Sequence, residues 1–281
     1  MTKVSNIKES GDTLNFTLNN TNNSIANAIR RVLIAEIPTW SFGKITVEEN
    51  VTPFSDEYLS HRVGLVPINN EIVTDKSPRE FVLDAKGDPS GLRKVYSQEI
   101  KPQDFVFPGI ILAELKGLPD KQEHIKIKMT LEKGTHKSHD AKYSAVTIAS
   151  YKQKNESTFE FEVENRGLMK LKTLIHLALK VMIDKLTLIF DAIEEPNTTK
   201  LSFSESATDL HKIRINDEDD TIGNLIQTLL MKKVDFVAYE NPHPLENHVI
   251  VSIKDPNAND LFKNALIELI KEFNSIKSQF K

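Results

Sequence analysis

One short segment combines side chains that could do acid–base or metal chemistry. Asp56, Glu57 and His61 occur close together, and a helix would place two carboxylates and an imidazole on neighbouring turns. A metal-dependent hydrolase that uses these three residues is therefore one interpretation. The helical zinc-protease pattern needs two histidines that flank a glutamate, and this segment has a single histidine. We favour a capped surface helix here.

A second acidic cluster is the run Asp217–Asp220. A calcium-binding EF-hand loop that started here would need glycine and glutamate where the chain has Ile222 and Thr228. Carboxylates that directly precede a helix stabilise its positive end. We therefore interpret this run as the start of a helix capped at Thr221.

The composition excludes several kinds of site. The chain of 281 residues contains no cysteine, which excludes disulfides, a thiol nucleophile and cysteine-based zinc or iron–sulfur sites. It contains 10 glycines and none of the glycine-rich phosphate-binding or nucleophile-elbow motifs. Sites that depend on cysteine or on these glycine motifs are therefore excluded.

The charge distribution argues against a nucleic-acid-binding module. The first 200 residues hold 27 basic and 27 acidic residues, whereas residues 201–281 hold 9 basic and 13 acidic ones. A protein that grips phosphates should show a basic domain. The stretch from Leu168 to Phe190 is apolar but interrupted by charges, so we expect no membrane span.

Hydrophobic periodicity divides the chain into two related units. Alternating Leu14, Phe16 and Leu18 predict a strand, after which Ser24 is a suitable cap for an amphipathic helix. Residues 48–158 have short strand patterns, including a predicted pair of 125–131 with 143–148. A strand at 159–163 and a long helix then return, followed by a linker at 191–200 and a second unit at 201–281.

The two units share an internal repeat. The segment from Ser24 to Leu33 aligns with the segment from Thr221 to Leu230, and each follows a polar turn and a strand. Each unit also ends in a long amphipathic helix, so the units can cover each other's apolar faces. The interface residues predicted from this periodicity are Ile25, Ile29, Leu33, Ile222, Leu225, Ile226, Leu229, Leu266, Ile270 and Phe273.

The predicted fold class is α+β, with two strand–helix units packed as an intramolecular pseudo-heterodimer. The first unit comprises residues 1–47 and 159–190 and is interrupted by a β-rich inserted domain at 48–158. The second comprises residues 201–281.

Several segments, taken together, resemble the alpha-type subunits of cellular DNA-directed RNA polymerases. The strongest are Asn27–Thr39 and Asp56–Ile68, which resemble the third subunit of eukaryotic RNA polymerase II and the archaeal D subunit. The likeness continues through 86–87, 95–97, 111–115, 134, 139–144 and 159–186. Residues 201–281 resemble the eleventh subunit, or archaeal L subunit, through Asp217–Asn224 and the turn at 241–245.

The resemblance implies a non-catalytic assembly platform for transcription, and we expect no catalytic residue, no cofactor and no metal. The expected partners are the two largest polymerase subunits and a small polymerase subunit, without direct nucleic acid binding, membrane association or homo-oligomerisation. Carried over residue by residue, Asn27, Arg30 and Arg31 become the residues that dock a large subunit. The arginines are alternatively ordinary solvated charges, and an interaction scaffold outside transcription remains an alternative.

Two departures from the family pattern stand out. The partners are normally separate polypeptides but are fused here, an arrangement that we associate with large nucleocytoplasmic DNA viruses. We therefore expect a viral protein in the host cytoplasm, in the viral factory and in the virion, or a nuclear protein if the source is cellular. The lack of cysteine also implies that the zinc or iron–sulfur element of some relatives is missing.

Fusion predicts a monomer. A short flexible linker holds two modules at an effective concentration on the order of mM, which favours intramolecular pairing. Light scattering at micromolar concentration should give the mass of one chain, 31.8 kDa. A stable homodimer that does not arise from domain swapping would contradict this expectation.

Overall fold

The computed structural model describes residues 1–117, 122–137, 140–195, 198–205, 210–243 and 245–280. The chain forms two compact units. One, the paired unit, comprises Met1–Ile34, Ile148–Glu164 and Leu171–Lys281; the other, the inserted unit, comprises Ala35–Thr147 and Asn165–Lys170. Parts of three predicted features lie outside the described residues, namely 196–197 of the linker, 139 of the family motif and Pro244 of the 241–245 turn.

The described residues form thirteen strands and five α-helices. The strands are β1 Lys3–Ser10, β2 Thr13–Asn19, β3 Thr39–Asn50, β4 Glu80–Lys86, β5 Leu92–Tyr96, β6 Ile111–Lys116, β7 His124–Gly134, β8 Val146–Asn155, β9 Thr158–Asn165, β10 Leu201–Glu205, β11 Leu210–Asn216, β12 Val237–Glu240 and β13 His248–Lys254. The helices are α1 Asn23–Ala35, α2 Asp56–Gly64, α3 Leu171–Asp191, α4 Asp220–Leu230 and α5 Ala258–Gln279. No described helix is long and apolar enough to cross a bilayer.

The paired unit contains the same strand arrangement twice. Its first half has the sheet order β1-β2-β9-β8, and its second half has β10-β11-β13-β12. Val4 pairs with Leu18 in the first sheet, and Leu201, 197 positions later, pairs with Ile215 in the second. The repeat seen in the sequence is therefore confirmed as a repeat of topology, with the inserted unit between α1 and β8.

The helices repeat as well. Seven of the eight buried residues of α3 have buried equivalents 87 positions later in α5, namely Leu171, Ile175, Ala178, Leu179, Met182, Leu186 and Ile189. The exception is Leu174, whose equivalent Leu261 is partly exposed. Helices α3 and α5 pack against each other, and α4 packs on β12, β13 and α5. Gly223 of α4 brings its backbone so close to Tyr239 and Val249 that a Cβ atom would clash with both.

The helix caps differ from the prediction. The backbone N–H of Ile25 donates to Asn22 Oδ1 at 3.0 Å, and that of Thr221 donates to Asp219 Oδ1 at 2.9 Å. Asn22 and Asp219, rather than Ser24 and Thr221, are thus the capping residues. Because each cap lies two positions earlier than predicted, the hydroxyls of Ser24 and Thr221 are free to make contacts elsewhere.

The inserted unit is built on a three-stranded sheet, β3-β7-β4, with a separate hairpin of β5 and β6. Helix α2 packs against β3 and β6. The core includes Phe42, Phe81, Leu83, Ile125 and Ile127, all of which are fully buried. The alternation predicted for 125–131 is confirmed, since these residues pair with β3 on one side and β4 on the other.

The inserted unit begins earlier than residue 48, at Ala35, because β3 joins the sheet of β7 instead of either sheet of the paired unit. Its first segment ends at Thr147, and the later segment Asn165–Lys170 belongs to the same unit. The pairing predicted between 125–131 and 143–148 is wrong. Strand β8 lies beside β9 in the first-half sheet, and Ala141–Tyr143 is a 3-10 turn.

His124 connects three strands of the inserted unit. Its Nδ1 atom lies 3.0 Å from Glu49 Oε1, and its Nε2 atom lies 2.8 Å from Asp84 Oδ1. Burial on its own would lower the pKa of His124, but the hydrogen bonds with Asp84 and Glu49 outweigh it and raise the pKa above the ordinary value of 6.5. The protonated ring therefore stabilises the folded state.

This stabilisation should depend on pH. It is fully present below the unfolded pKa of 6.5 and disappears as pH rises through the higher folded pKa. The difference in thermal midpoint between the wild type and His124→Gln should be largest near pH 5.5 and shrink towards about pH 8.5. The exposed His136→Gln variant is the control and should follow the wild type; a difference for His124→Gln that does not vary with pH would refute the role assigned to the charge.

Candidate interface between the two halves

The two short helices of the paired unit meet through polar side chains. Ser24 Oγ on α1 hydrogen-bonds Asn224 Oδ1 on α4 and lies 3.0 Å from Thr228 Oγ1. At the other end of the contact, Arg31 Nε donates to Thr221 Oγ1 at 2.8 Å. Since Ser24 lies near the end of α4 and Arg31 near its start, α1 and α4 run antiparallel.

These contacts obey a pseudo-twofold symmetry. Ser24 is the repeat equivalent of Thr221, and Arg31 is the equivalent of Thr228, each 197 positions apart. The contact between Ser24 and Thr228 is therefore the symmetry mate of the contact between Arg31 and Thr221. Two repeated units that meet in this way form an isologous interface.

Arg31 also makes an ion pair across the halves. Its Nη2 atom lies 3.3 Å from Asp219 Oδ2, and the two side chains are 40% and 17% exposed. Because Asp219 caps α4 through its other oxygen, a single carboxylate both holds the helix start and binds the arginine. The guanidinium of Arg31 is therefore already used within the chain.

A buried carboxylate forms a second charged contact. The side chain of Glu218 is 2% exposed and lies between two ammonium groups, Lys185 Nζ at 3.1 Å and Lys200 Nζ at 3.0 Å. Lys185 belongs to α3 of the first half, whereas Lys200 directly precedes β10 of the second half. The interpretation of the acidic run as the start of a helix did not identify this contact. The run contains four acids, more than one cap requires, and this excess was the available signal.

The chain ends join the halves a third time. Val4 N donates to Gln279 Oε1 at 2.8 Å, and Gln279 Nε2 donates to Thr2 O at 3.0 Å, so the end of α5 lies along β1. The ring of Phe280 packs edge-on against Phe16 at 5.1 Å between centroids. Residues from the end of the second half thus complete the core of the first half.

Most of the predicted interface residues are buried. Ile25, Ile29, Leu33, Ile222, Leu225, Ile226, Leu266 and Phe273 are buried, whereas Leu229 and Ile270 are partly exposed. The packing of α5 on α3 places Leu266, Ile270 and Phe273 on a helix that contacts the other half. Helix α4, in contrast, packs on its own sheet and on α5, so the interface role of its apolar residues stays a prediction.

The three predicted docking residues separate into two groups. Arg30 Nε and Nη2 donate to Asn27 Oδ1 at 3.1 and 3.0 Å, and both residues are partly exposed on α1. Asn27 and Arg31 line a cavity of about 150 Å³ together with Asn224 and Thr221. Arg31 therefore lies at the internal contact and Asn27 borders it, while Arg30 is partly exposed on α1.

The segment considered for metal chemistry is an ordinary capped helix. Asp56, Glu57 and His61 are exposed on α2. Ser55 Oγ accepts from Tyr58 N at 3.2 Å, and Asp56 Oδ1 accepts from Asn50 Nδ2 at 2.7 Å. Within the part of the chain that the structure describes, no three acidic or histidine side chains are grouped as metal ligands.

The difference between the two arginines can be measured. Arg31→Glu would place a carboxylate against Asp219 and remove the bond to Thr221, so it should destabilise the chain by about 1–2 kcal/mol, a figure reduced because Arg31 is partly exposed. Arg30→Glu should shift the unfolding midpoint little. Equal effects of the two variants in thermal or urea unfolding would contradict this assignment.

Comparison with known families agrees with this architecture. Two family models, both described as "RNA polymerase Rpb3/Rpb11 dimerisation domain", match the chain, one at residues 15–186 and the other at 211–279. The first match spans the first half with its inserted unit, and the second match spans most of the second half.

Individual relatives support the same family. The chain is 32% identical to DNA-directed RNA polymerase subunit Rpo3 of Methanocaldococcus jannaschii over 164 residues, which are 58% of this chain and 81% of that protein. It is 30% identical to DNA-directed RNA polymerase II subunit rpb3 of Dictyostelium discoideum over 50% of this chain and 54% of the relative. It is also 30% identical to DNA-directed RNA polymerases I and III subunit RPAC1 of Mus musculus, over 53% of this chain and 54% of the relative. The aligned region thus spans about half the length of these eukaryotic relatives. The chain belongs to the RNA polymerase Rpb3/Rpb11 dimerisation-domain family, as an Rpb3/Rpo3-like, non-catalytic assembly subunit of DNA-directed RNA polymerase.

Proposed function

We propose that this one polypeptide does the work of two polymerase subunits, a third-subunit (archaeal D) type and an eleventh-subunit (archaeal L) type. The observation that carries the proposal is the repeat itself. Two dimerisation-domain matches fold with the same strand order and meet across a pseudo-twofold contact within one compact unit. A chain that supplies both halves needs no separate dimerisation partner.

The paired unit then serves as the platform on which the two largest polymerase subunits assemble, together with a small subunit. Dimerisation domains of this family imply other polymerase subunits as partners. We assign the external contact to Asn27 and Arg30, which remain partly exposed on α1. Because Arg30 carries a planar guanidinium, a carboxylate on a large subunit is the partner group that fits it.

The composition supports two further parts of the proposal. The chain holds no cysteine, so its residues do not fit the cysteine-ligated zinc or iron–sulfur group of some relatives. The overall charge of −4 is weakly acidic, which favours a position away from the nucleic acid. We propose that the chain neither holds such a group nor contacts DNA directly.

The fusion also supports a proposal about source. We infer that the chain comes from a large nucleocytoplasmic DNA virus and acts in the host cytoplasm, in viral factories and in the virion. The support is the single-chain arrangement, which we associate with such viruses; a cellular source would place the protein in the nucleus instead.

Recruitment of the large subunits tests the docking assignment. Tagged full-length chain should co-purify the large subunits, and Arg30→Glu should reduce their yield by about tenfold, as expected for the loss of roughly 1.4 kcal/mol in a charged contact. Because, within the described residues, the guanidinium of Arg30 hydrogen-bonds only Asn27 on the same helix, the variant should fold normally.

The matched control is Lys180→Glu, a charge reversal at an exposed position of α3. It changes the net charge equally and should leave recruitment unchanged. Co-purification of no polymerase subunit by the wild type would refute the platform role, and equal losses for the two variants would refute the docking site alone.

A further inference from the structure

The two turns that precede α1 and α4 have the same backbone conformation but differ in charge. Asn20 and Asp217, equivalent in the repeat, both adopt the left-handed backbone region, with φ of 57° and 58°. Asn22 and Asp219 both cap the helix that follows. The first turn reads Asn-Thr-Asn-Asn and the second Asp-Glu-Asp-Asp, so one geometry is built once from neutral side chains and once from acids.

The helix opposite each turn differs in charge as well. Glu218 of the acidic turn faces Lys185 of α3. Its repeat equivalent in the neutral turn is Thr21, which lines a cavity of about 540 Å³ together with Glu272, the equivalent of Lys185 on α5. The hydroxyl of Thr21 is buried and has no hydrogen-bond partner within the described residues. The positions equivalent to Glu218 and Lys185 are therefore held by Thr21, which is neutral, and Glu272, which is an acid.

This asymmetry makes pairing of like halves unfavourable. Two second halves would place the buried Glu218 against Glu272, carboxylate against carboxylate. Two first halves would place Lys185 against Thr21, so the ammonium would lose the carboxylate of Glu218. Loss of the partner of a buried charge is strongly destabilising, and like charges that face each other repel.

The contact between Arg31 and Asp219 follows the same rule. Its symmetry mate consists of Asn22 and Thr228, which are both neutral. In a pair of first halves Arg31 would meet Asn22, and in a pair of second halves Asp219 would meet Thr228. In both charged contacts the cation lies on the first half and the acid on the second.

We propose that these two contacts, Lys185 with Glu218 and Arg31 with Asp219, are the specificity determinants that make the halves pair with each other and not with themselves. The interaction surface is the pseudo-twofold face of each half, and its partner is a surface of opposite charge. The inference rests on the proposed single-chain heterodimer but not on the docking of large subunits.

A matched control is present within the same cluster. Lys200 also binds Glu218 but belongs to the second half, so this contact would be retained in every pairing that includes a second half. Loss of Lys200 should therefore weaken folding without changing which halves pair, whereas loss of the contacts across the halves should change both.

The test uses the complete chain, folded and then cut at a protease site introduced at residues 195–198. Native mass spectrometry separates mixed from like pairs because the halves differ in mass. After equilibration in dilute urea, the cut wild type should contain mixed pairs. In the variant with Lys185→Met, Glu218→Gln, Arg31→Gln and Asp219→Asn, the ratio of mixed to like pairs should fall by about tenfold or more.

Cut Lys200→Gln should keep the wild-type ratio. An unchanged ratio in the fourfold variant would overturn the proposal, and so would like pairs in the wild type. These outcomes are separate from the docking assignment, because failure to recruit large subunits would leave the pair masses unaltered.

A measurement on the uncut chain covers the case in which the cut variant dissociates. Lys185→Met, Glu218→Gln and the double variant form a double-mutant cycle in urea unfolding. The double variant should lose less stability than the two single losses added together. Additive losses would show that the two charges do not act across the halves and would overturn the proposal.

Discussion

The central constraint on this chain is that each half of the paired unit presents a long helix that its own sheet cannot cover. Helices α3 and α5 have the same buried pattern and lie against each other, so each supplies the apolar surface that the other lacks. The core is completed from both sides, as the contact of Phe280 with Phe16 shows. A half without its partner would expose this surface to water, which is the hydrophobic basis of the pairing.

Apolar packing by itself does not distinguish one half from the other, because the two helices repeat the same pattern. The distinction comes from the polar turns, where equal backbone geometry carries different charges. Glu218 is buried between two ammonium groups, whose attraction offsets the cost of its desolvation. Hydrophobic burial thus stabilises the pair, and the charged contacts favour pairing of unlike halves.

The sequence was sufficient for those features that arise from periodicity. Alternation at Leu14, Phe16 and Leu18 and the long amphipathic helix that ends each unit follow from local patterns, and the repeat followed from aligning two helices. The pairing of β8 was predicted wrongly, since the short alternation at 143–148 cannot specify its neighbour. The caps were misplaced because Asn22 and Ser24 are both good capping residues, and only backbone geometry distinguishes them. Glu218 was missed because burial of an acid depends on α3, which is distant in sequence.

The position of the insertion has a consequence for synthesis of the chain. Strand β2 pairs with β9, so the ladder from Thr13 to Glu164 closes only after the inserted unit has been translated. The inserted unit is almost continuous in sequence and can fold as it emerges, whereas the sheet of the first half depends on contacts of long range, which form slowly. The neighbouring second half follows directly on the same chain. The sheet of the first half and the helix α5 that packs beside it are therefore synthesised one after the other on the same chain. The first half does not have to encounter a second polypeptide before its apolar surface is covered.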